Sequence, residues 1–549
     1  MTNIKTTDAR AAVLDSAHVG DIKGAFGTIR HGDVKARSGW KQRLKTLLAI
    51  LGPGVIVMVG DNDAGAFGTY AQAGQNYGTA LLWTMMLLIP VLYVNQEMVL
   101  RLGAVTRVGH ARLIFERFGK FWGAFSAIDL FILNALTIVT EFIGISLGLG
   151  FLGVPKIAGV LIAAVFIMLA ASTGNFRRFE RFSLALVAGS LLLIPVFAMI
   201  HPPMAQVAHD FAVPQMPVGG KLSDVMLLII GIVGTTVAPW QLFFQQSYVI
   251  DKRITPRFIK YERADLWLGI ALVVIGAVAM IAFTAQVFAG HPEFGNFQDA
   301  GAVADGMAKY YGRLPAVLFA IALIDASIIG AMAVSLSTAY ALGDVMSIKH
   351  SLHRKPADAK GFYLMYCGLI AMAAALVLIP GVPLGLLTNA VQTLAGILLP
   401  SATVFLLIMC NDKDVLGPWV NNRITNVFTA AIVAVLVLLS IVLTAAVAFP
   451  DMSGETITNI LFFGGLLALL VVIAVNVLHA REEAMLTISP PETKIDKQML
   501  YAWTMPNIDS LNPMALSSRN KLWMLVLRVY LVLAVAMVIY KVVISALAQ

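Results

Sequence analysis

Residues 52–68 read Gly52-Pro53-Gly54-Val55-Ile56-Val57-Met58-Val59-Gly60-Asp61-Asn62-Asp63-Ala64-Gly65-Ala66-Phe67-Gly68. Five glycines and two carboxylates fall inside an apolar run that spans 45–71. In lipid every backbone polar group must be satisfied internally, so an interrupted helix survives only where it is buried or lines a cavity. A second apolar run is interrupted in the same manner, at Gly231-Ile232-Val233-Gly234-Thr235-Thr236-Val237-Ala238-Pro239-Trp240-Gln241. Counted along the chain these are runs 1 and 6. That offset of five is the layout of two inverted five-helix repeats, with helices 1 and 6 broken at the midplane around a solute. Gly and Pro are common in membrane helices, which is the plain alternative. Two interruptions at corresponding places, one carrying acids, favour the site.

The rest of the chain agrees with a membrane bundle. Of 549 residues, 59% are hydrophobic and 13% charged, with mean hydropathy +0.82. Soluble chains carry about 25% charged residues, so a soluble enzyme, a disordered scaffold and a coiled coil are excluded. The only cysteines are Cys367 and Cys410, which excludes a disulfide framework or a cysteine metal site. The opening MTNIKTTDAR is polar and lacks the apolar segment of a cleaved leader.

Apolar runs of about 18 residues suffice for a transmembrane helix. Thirteen are expected, at 45–71, 79–100, 121–150, 156–172, 182–200, 225–250, 264–289, 315–343, 362–380, 384–409, 427–449, 458–479 and 522–547. With the N-terminus inside, the inside segments hold 33 Lys and Arg, whereas the outside ones hold only Lys156, Lys221, Lys309 and Arg313. This asymmetry predicts a cytoplasmic N-terminus in the cell membrane, and it explains the net charge of +8 without nucleic acid. The expected organisation is a disordered cytoplasmic tail at 1–44 and a ten-helix core at 45–410. Two more helices follow at 411–479, then a cytoplasmic loop at 480–521 and a last helix at 522–549. No segment is large enough for a soluble domain, so the chemistry belongs inside the bundle.

Intramembrane acids are functional candidates. Asp61 and Asp63 lie at the first break, where a carboxylate, freed carbonyls and retained water make a hard-cation site. Glu97, near the end of span 2, reads as interfacial or structural, and Asp129 as a partner for a neighbouring helix. Glu141, deep in span 3, suits a cation pathway. Asp325, in mid-span 8, suits either a cation or a helix partner. Gln241 and Gln245 share one face of span 6, for an ion's hydration shell or for cross-helix bonding. Thr235 and the carbonyl of Ala238 complete the candidate shell. The histidines all lie in tails, loops or helix ends, and the 24 methionines read as core or lipid-facing.

Several of these motifs resemble the Nramp divalent-metal transporters. Gly52-Pro53-Gly54, Asp63-Ala64-Gly65-Ala66 and Gln72-Ala73-Gly74-Gln75-Asn76-Tyr77-Gly78 follow the family's GPG…DPGN…QAGAxYG pattern with its spacing. Gln96-Glu97 with Arg101-Leu102-Gly103, Glu141-Phe142-Ile143-Gly144, Thr236-Val237-Ala238-Pro239 and Asn421-Asn422-Arg423 with Asn426 extend the match to roughly residues 45–480. The resemblance implies a LeuT-type fold and a transporter rather than an enzyme. A divalent metal would be its substrate, and no cofactor is implied.

The departures carry further expectations. Ala66 stands where the family's Asn binds metal, and Ala238 where its Met sulfur does. Trp240 replaces a His and Ile138 a helix 3 Asp, while residues 361–380 hold no Arg where the family has a pair. Loss of the thioether leaves an oxygen site. The enlarged cavity suits Mg²⁺, which dehydrates reluctantly and keeps several waters, or Mn²⁺. The pattern resembles the Nramp-related magnesium transporters. It implies import of Mg²⁺ and Mn²⁺ by alternating access around Asp63, with weak or no proton coupling. The alternatives are a proton-coupled Mn²⁺/Fe²⁺ symporter using Glu141 or Asp325, and a sodium-coupled organic-solute symporter of the same fold. Asp63 would repel a substrate carboxylate, which disfavours the last.

Overall fold

The computed structural model describes residues 13–217, 221–380, 384–448 and 497–514, with scattered positions between 456 and 536. A short antiparallel hairpin, β1 (Ile22–Gly24) and β2 (Gly27–Ile29), pairs Ile22 with Ile29. The first half continues with α1 (Trp40–Ile50), α2 (Pro53–Val59), α3 (Ala64–Tyr77), α4 (Trp83–Thr106), α5 (His110–Phe118), α6 (Lys120–Phe151), α7 (Lys156–Ala171), α8 (Phe176–Gly189) and α9 (Leu193–Ile200). A short α10 (Met204–Ala212) leads to the second half. There follow α11 (Leu222–Thr236), α12 (Pro239–Asp251), α13 (Ile259–Phe288), α14 (Ala300–Tyr311), α15 (Arg313–Val345), α16 (Lys360–Val377) and α17 (Leu384–Met409). Beyond lie α18 (Lys413–Leu416), α19 (Arg423–Ala448) and α20 (Lys497–Ala502).

Both expected breaks are present. The first span is α2 plus α3, parted by Gly60–Asp63, and the sixth is α11 plus α12, parted at Val237–Ala238. The helix α13 packs along both halves of the first span, and α11 packs on α17. The architecture is all-α with LeuT-type broken helices 1 and 6.

Among the described residues eight helices are long and apolar enough to cross a membrane, or nine if a bent pair is one span. The broken first span has halves too short to pass alone. The helix α7 and the apolar part of α19 also fall short of the length required. The expected spans at 458–479 and 522–547 lie outside the described residues, apart from scattered positions. The expected first span, 45–71, also contains a turn before α2. At Leu51–Gly52 the chain turns by 52°, leaving α1 a separate helix with Trp40, Leu44 and Leu48 exposed. Gly52 makes this turn at φ +154, a region that favours glycine. Pro53 then opens α2 at a position where its missing N–H is no loss. Gly54 lets α2 touch α13, since a Cβ there would lie 2.6 Å from the Leu266 Cα.

The expectation of a disordered tail at 1–44 is corrected for residues 13–44. His18, Ile22, Ala25 and Ile29 are buried, and the hairpin packs under the ends of the helices. Its apolar residues are too few to signal a fold by composition. They are anchored by charged partners distant in sequence, such as Arg354 on Asp15.

Candidate cation site between the broken helices

The site assembles where the two breaks face each other. Asp63 is the N-cap of α3, and its Oδ1 accepts a bond from the Ala66 N–H at 2.9 Å. A capping carboxylate satisfies an orphan donor and meets the positive end of the helix dipole. Glu141, from the middle of α6, accepts from the Ala64 N–H through Oε2 at 3.1 Å. The Asp63 and Glu141 carboxyls lie within hydrogen-bonding reach of each other. Gly330 of α15 makes room for both. A Cβ there would sit 2.8 Å from the Glu141 carboxyl carbon and 2.9 Å from the Asp63 Cβ.

Asp61 closes the other side of the break. Its Oδ1 accepts a bond from Gln241 Nε2, and Gln241 Oε1 accepts in turn from Gln96 Nε2 of α4 at 2.8 Å. The chain Gln96–Gln241–Asp61 thus ties α4, α12 and the first break together. All three side chains are fully buried.

The polar atoms left over define what the site can do. Asp61 Oδ2, Glu141 Oε1, Thr235 Oγ1, Gln392 Nε2 and both amide atoms of Gln245 are buried without hydrogen-bond partners. Buried polar groups are nearly always satisfied in native structures, so the orphans around the two helix breaks are open to an added ligand or water. The donors are carboxylate, hydroxyl and amide groups, a hard set suited to an alkaline-earth or manganous ion. Among the described residues no three His, Cys, Asp or Glu side chains are grouped so as to hold a metal ion. The site is therefore no cage of charged ligands. A cation bound here would need neutral oxygens to share its coordination.

The family model described as natural resistance-associated macrophage protein-like (Nramp) matches residues 54–446. This chain belongs to the Nramp family. A divalent metal cation transporter MntH from Ralstonia nicotianae is 29% identical over 413 residues, which are 71% of this chain and 89% of that protein. The divalent metal cation transporter MntH 1 of Pseudomonas aeruginosa is 28% identical over 400 residues, 69% of this chain and 87% of that protein. A manganese transporter from Eremococcus coleocola, solved with an aromatic bis-isothiourea substituted compound, superposes with a TM-score of 0.59. It is 20% identical, and the match covers 82% of this chain and 98% of that one. The chain is thus a membrane transporter of the Nramp family and not an enzyme.

Set against the Nramp pattern, the departures are visible in the site. Ala66 lends α3 only the N–H that Asp63 caps, with no side-chain amide. Ala238 is the buried N-cap of α12, and its carbonyl already accepts from the Gln241 N–H at 3.2 Å, leaving one lone pair free. Trp240 is buried with its ring tip 3.8 Å from the position a Cβ on Gly60 would take.

The structure brings together Asp61, Asp63, Glu141 and Gln241, with Ala238 one turn before Gln241 and Thr235 at the end of α11. Gln245 lies one turn further along α12. Asp325 stands apart, packed at the end of α8, where a Cβ on Gly189 would lie 2.5 Å from its Oδ1. Glu97 is structural, paired with Arg101 at 3.2 Å and Arg263 at 2.6 Å.

Two residues escaped the sequence reading. Gln392 of α17 is seated between the breaks: its Nε2 lies 1.7 Å from where a Cβ on Gly65 would be, and its backbone carbonyl oxygen 2.2 Å from where a Cβ on Gly234 would be. Rotated by half a turn, its amide would present oxygen toward Gly65 instead. Gln96 entered the reading only as part of a motif. The signal for both was the one applied to Gln241, a lone amide in an apolar span.

Proposed function

We propose that this chain imports hard divalent cations, Mg²⁺ and Mn²⁺, by alternating access around Asp63, with weak or no proton coupling. The observation that carries this reading is the donor set at the two breaks: buried carboxylate, hydroxyl and amide groups with unpartnered atoms, and alanine at 66 and 238. Asp63 is the carboxylate ligand, direct or through water. Asp61, Thr235, the Ala238 carbonyl, Gln241 and Gln392 supply the remaining contacts. The MntH relatives are named as divalent metal cation transporters. The alanines widen the cavity toward a partly hydrated ion.

The sequence lacks the helix 3 Asp, the helix 6 His and the helix 9 Arg pair of the Nramp pattern. The membrane potential supplies the drive instead. At about 2.3 kcal/mol per charge per 100 mV, a divalent ion entering at −100 mV gains roughly 4.6 kcal/mol. That supports accumulation above about a thousandfold, since each 1.4 kcal/mol is tenfold. The excess of Lys and Arg on one side supports a cytoplasmic N-terminus in the cell membrane.

A second reading is favoured by one contact. The Asp63–Glu141 carboxyl pair can hold either a cation or a shared proton, as a proton-coupled transporter requires. Uptake into proteoliposomes separates the two. Mg²⁺ flux that is lost in Asp63→Ala, resists competition by Cd²⁺ and moves no protons supports the first reading. Strong Cd²⁺ preference, undiminished flux in Asp63→Ala or metal-driven acidification of the lumen overturns it.

A further inference from the structure

Residues 15–29 form a strap across the face toward which α2 and α12 descend from the site. At one end Arg354, in the connection between α15 and α16, grips the Asp15 carboxylate through Nε at 3.0 Å and Nη2 at 2.5 Å. The His350 N–H binds the same carboxylate at 2.9 Å. In the middle, His18 Nε2 lies 3.0 Å from the His350 carbonyl and 3.7 Å from Asp251 Oδ1, at the end of α12. Arg253, just past α12, donates to the carbonyls of Ala17 and Asp21 at 2.9 and 3.0 Å. At the hairpin tip the Ala25 N–H donates to Glu180 Oε2 of α8 at 2.5 Å.

The strap is wired to the first break as well. Glu180 Oε1 pairs with Lys252 Nζ at 2.5 Å, and Lys252 donates to the carbonyls of Ile50 and Leu51 at 2.6 and 2.8 Å. Lys252 thereby caps α1 immediately before the Gly52 turn. Asp265 of α13 completes the arrangement by accepting from the N–H groups of Gly52 and Gly54 at 3.1 and 2.6 Å.

One segment therefore joins the ends of the two half-helices that line the site to α8 and to the α15–α16 connection. Alternating access requires half-helices and frame to part on one face at a time. Parting here breaks several bonds to charged groups that are buried in the closed state. We propose that residues 15–29 are a latch that holds this face shut and must release before a cation can leave the site toward it. Asp15–Arg354 is the outer catch, and Ala25–Glu180–Lys252 the inner one.

The test uses the full chain with Cys367→Ser and Cys410→Ser. A reporter, Ser337→Cys, is placed on α15 where the Ser337 hydroxyl meets the Trp240 carbonyl of α12 at 2.9 Å. Its alkylation by N-ethylmaleimide reads opening without any metal. Asp15→Ala and Arg354→Ala should each raise that rate about tenfold, the shift that corresponds to 1.4 kcal/mol. Unchanged rates in both variants overturn the latch.

A second measurement covers variants that fail to fold. Without the reporter, Asp15→Cys and Arg354→Cys are joined by a short bis-maleimide, and Mg²⁺ uptake should stop, whereas N-ethylmaleimide on the same pair should leave it running. Continued uptake in the bridged protein overturns the proposal. Absent uptake in the unbridged protein would instead fault the assignment of Mg²⁺ as substrate.

Discussion

Two groups of buried acids lie at opposite ends of α2 and α12, and they are handled in opposite ways. At the latch end, Glu180, Asp251 and Asp265 spend their oxygens on protein. Asp251 accepts from the Tyr340 hydroxyl, the Ser351 hydroxyl and the Leu352 N–H. Glu180 holds Lys252 and Ala25, and Asp265 caps α2. At the broken end, Asp61 and Glu141 each keep one buried oxygen without a partner, and among the described residues no Lys or Arg is ion-paired to either. A buried carboxylate costs stability unless it is paired and bonded. Glu180, Asp251 and Asp265 meet that cost with protein donors, although Glu262 beside them on α13 is buried with neither oxygen bonded, whereas the site acids are left open to a cation.

The largest effect should come from breaking the satisfied group. Lys252→Met leaves Glu180 buried without its cation, and removing one partner of a buried pair costs about 3–5 kcal/mol. The purified variant should lose most of its thermal stability, read as a large fall in melting temperature by tryptophan fluorescence. Adding Glu180→Leu should restore much of the loss, because replacing both partners with apolar groups is often neutral. Failure of the double variant to recover would show that Lys252 acts mainly through the Ile50 and Leu51 carbonyls.

Breaking the unsatisfied group should do the reverse. Asp61→Asn keeps the shape and removes a buried charge, so the melting temperature without metal should hold or rise. Transport should suffer instead, with the KM for Mg²⁺ rising about tenfold or more, since bonds to charged groups are worth roughly 1.5–3 kcal/mol. A variant that loses stability and keeps its KM would move Asp61 into the structural class. Ala238→Met probes the same cavity from the far side. A thioether there should shift competition toward Cd²⁺ by a few-fold while leaving the fold intact. Unaltered Cd²⁺ competition would place the residue 238 side chain outside the ion's reach.

The broken helices were legible because glycine, proline and acid together interrupt an apolar run, and lipid tolerates such an interruption only around a cavity or within protein. Asp61, Asp63, Glu141 and Gln241 come together in the structure for the same reason. Gln392 carried the same signal as Gln241 but was passed over, since a lone amide in span 10 looks like any helix-packing residue until Gly65 and Gly234 are seen closing on it. The latch was hidden by the same charge asymmetry that orients the chain. Lys252, Arg253 and Arg354 counted as loop charges on the inside, yet Lys252 is fully buried and the others are committed to the strap. Pairing across more than 200 residues leaves no local pattern in sequence, so segment 13–44 read as a tail.

The smallest expected effect is a pH dependence confined to the latch end. His350 lies between Asp344, 2.8 Å from its Nε2, and the His18 ring, whose centroid is 5.1 Å away, with Asp15 bound to its backbone. Burial pulls its pKa down, but the Asp344 carboxylate and the Ile348 carbonyl outweigh this and raise it to about 9. A group whose folded pKa is raised stabilises fully below its unfolded value of about 6.5 and loses that contribution as pH climbs through the folded one. Melting temperature should therefore decline modestly between about pH 6.5 and pH 9. Asp15 works in the opposite window. Burial raises its pKa, but Arg354 and the Ala17 N–H prevail and hold it well below the usual carboxylate range. Its contribution is thus complete at neutral pH and is lost only in strong acid. His350→Gln should flatten the alkaline decline and leave the acid limb in place. If the decline persists in that variant, the titrating group belongs elsewhere, and the cation site, with its own unpaired acids, becomes the next place to look.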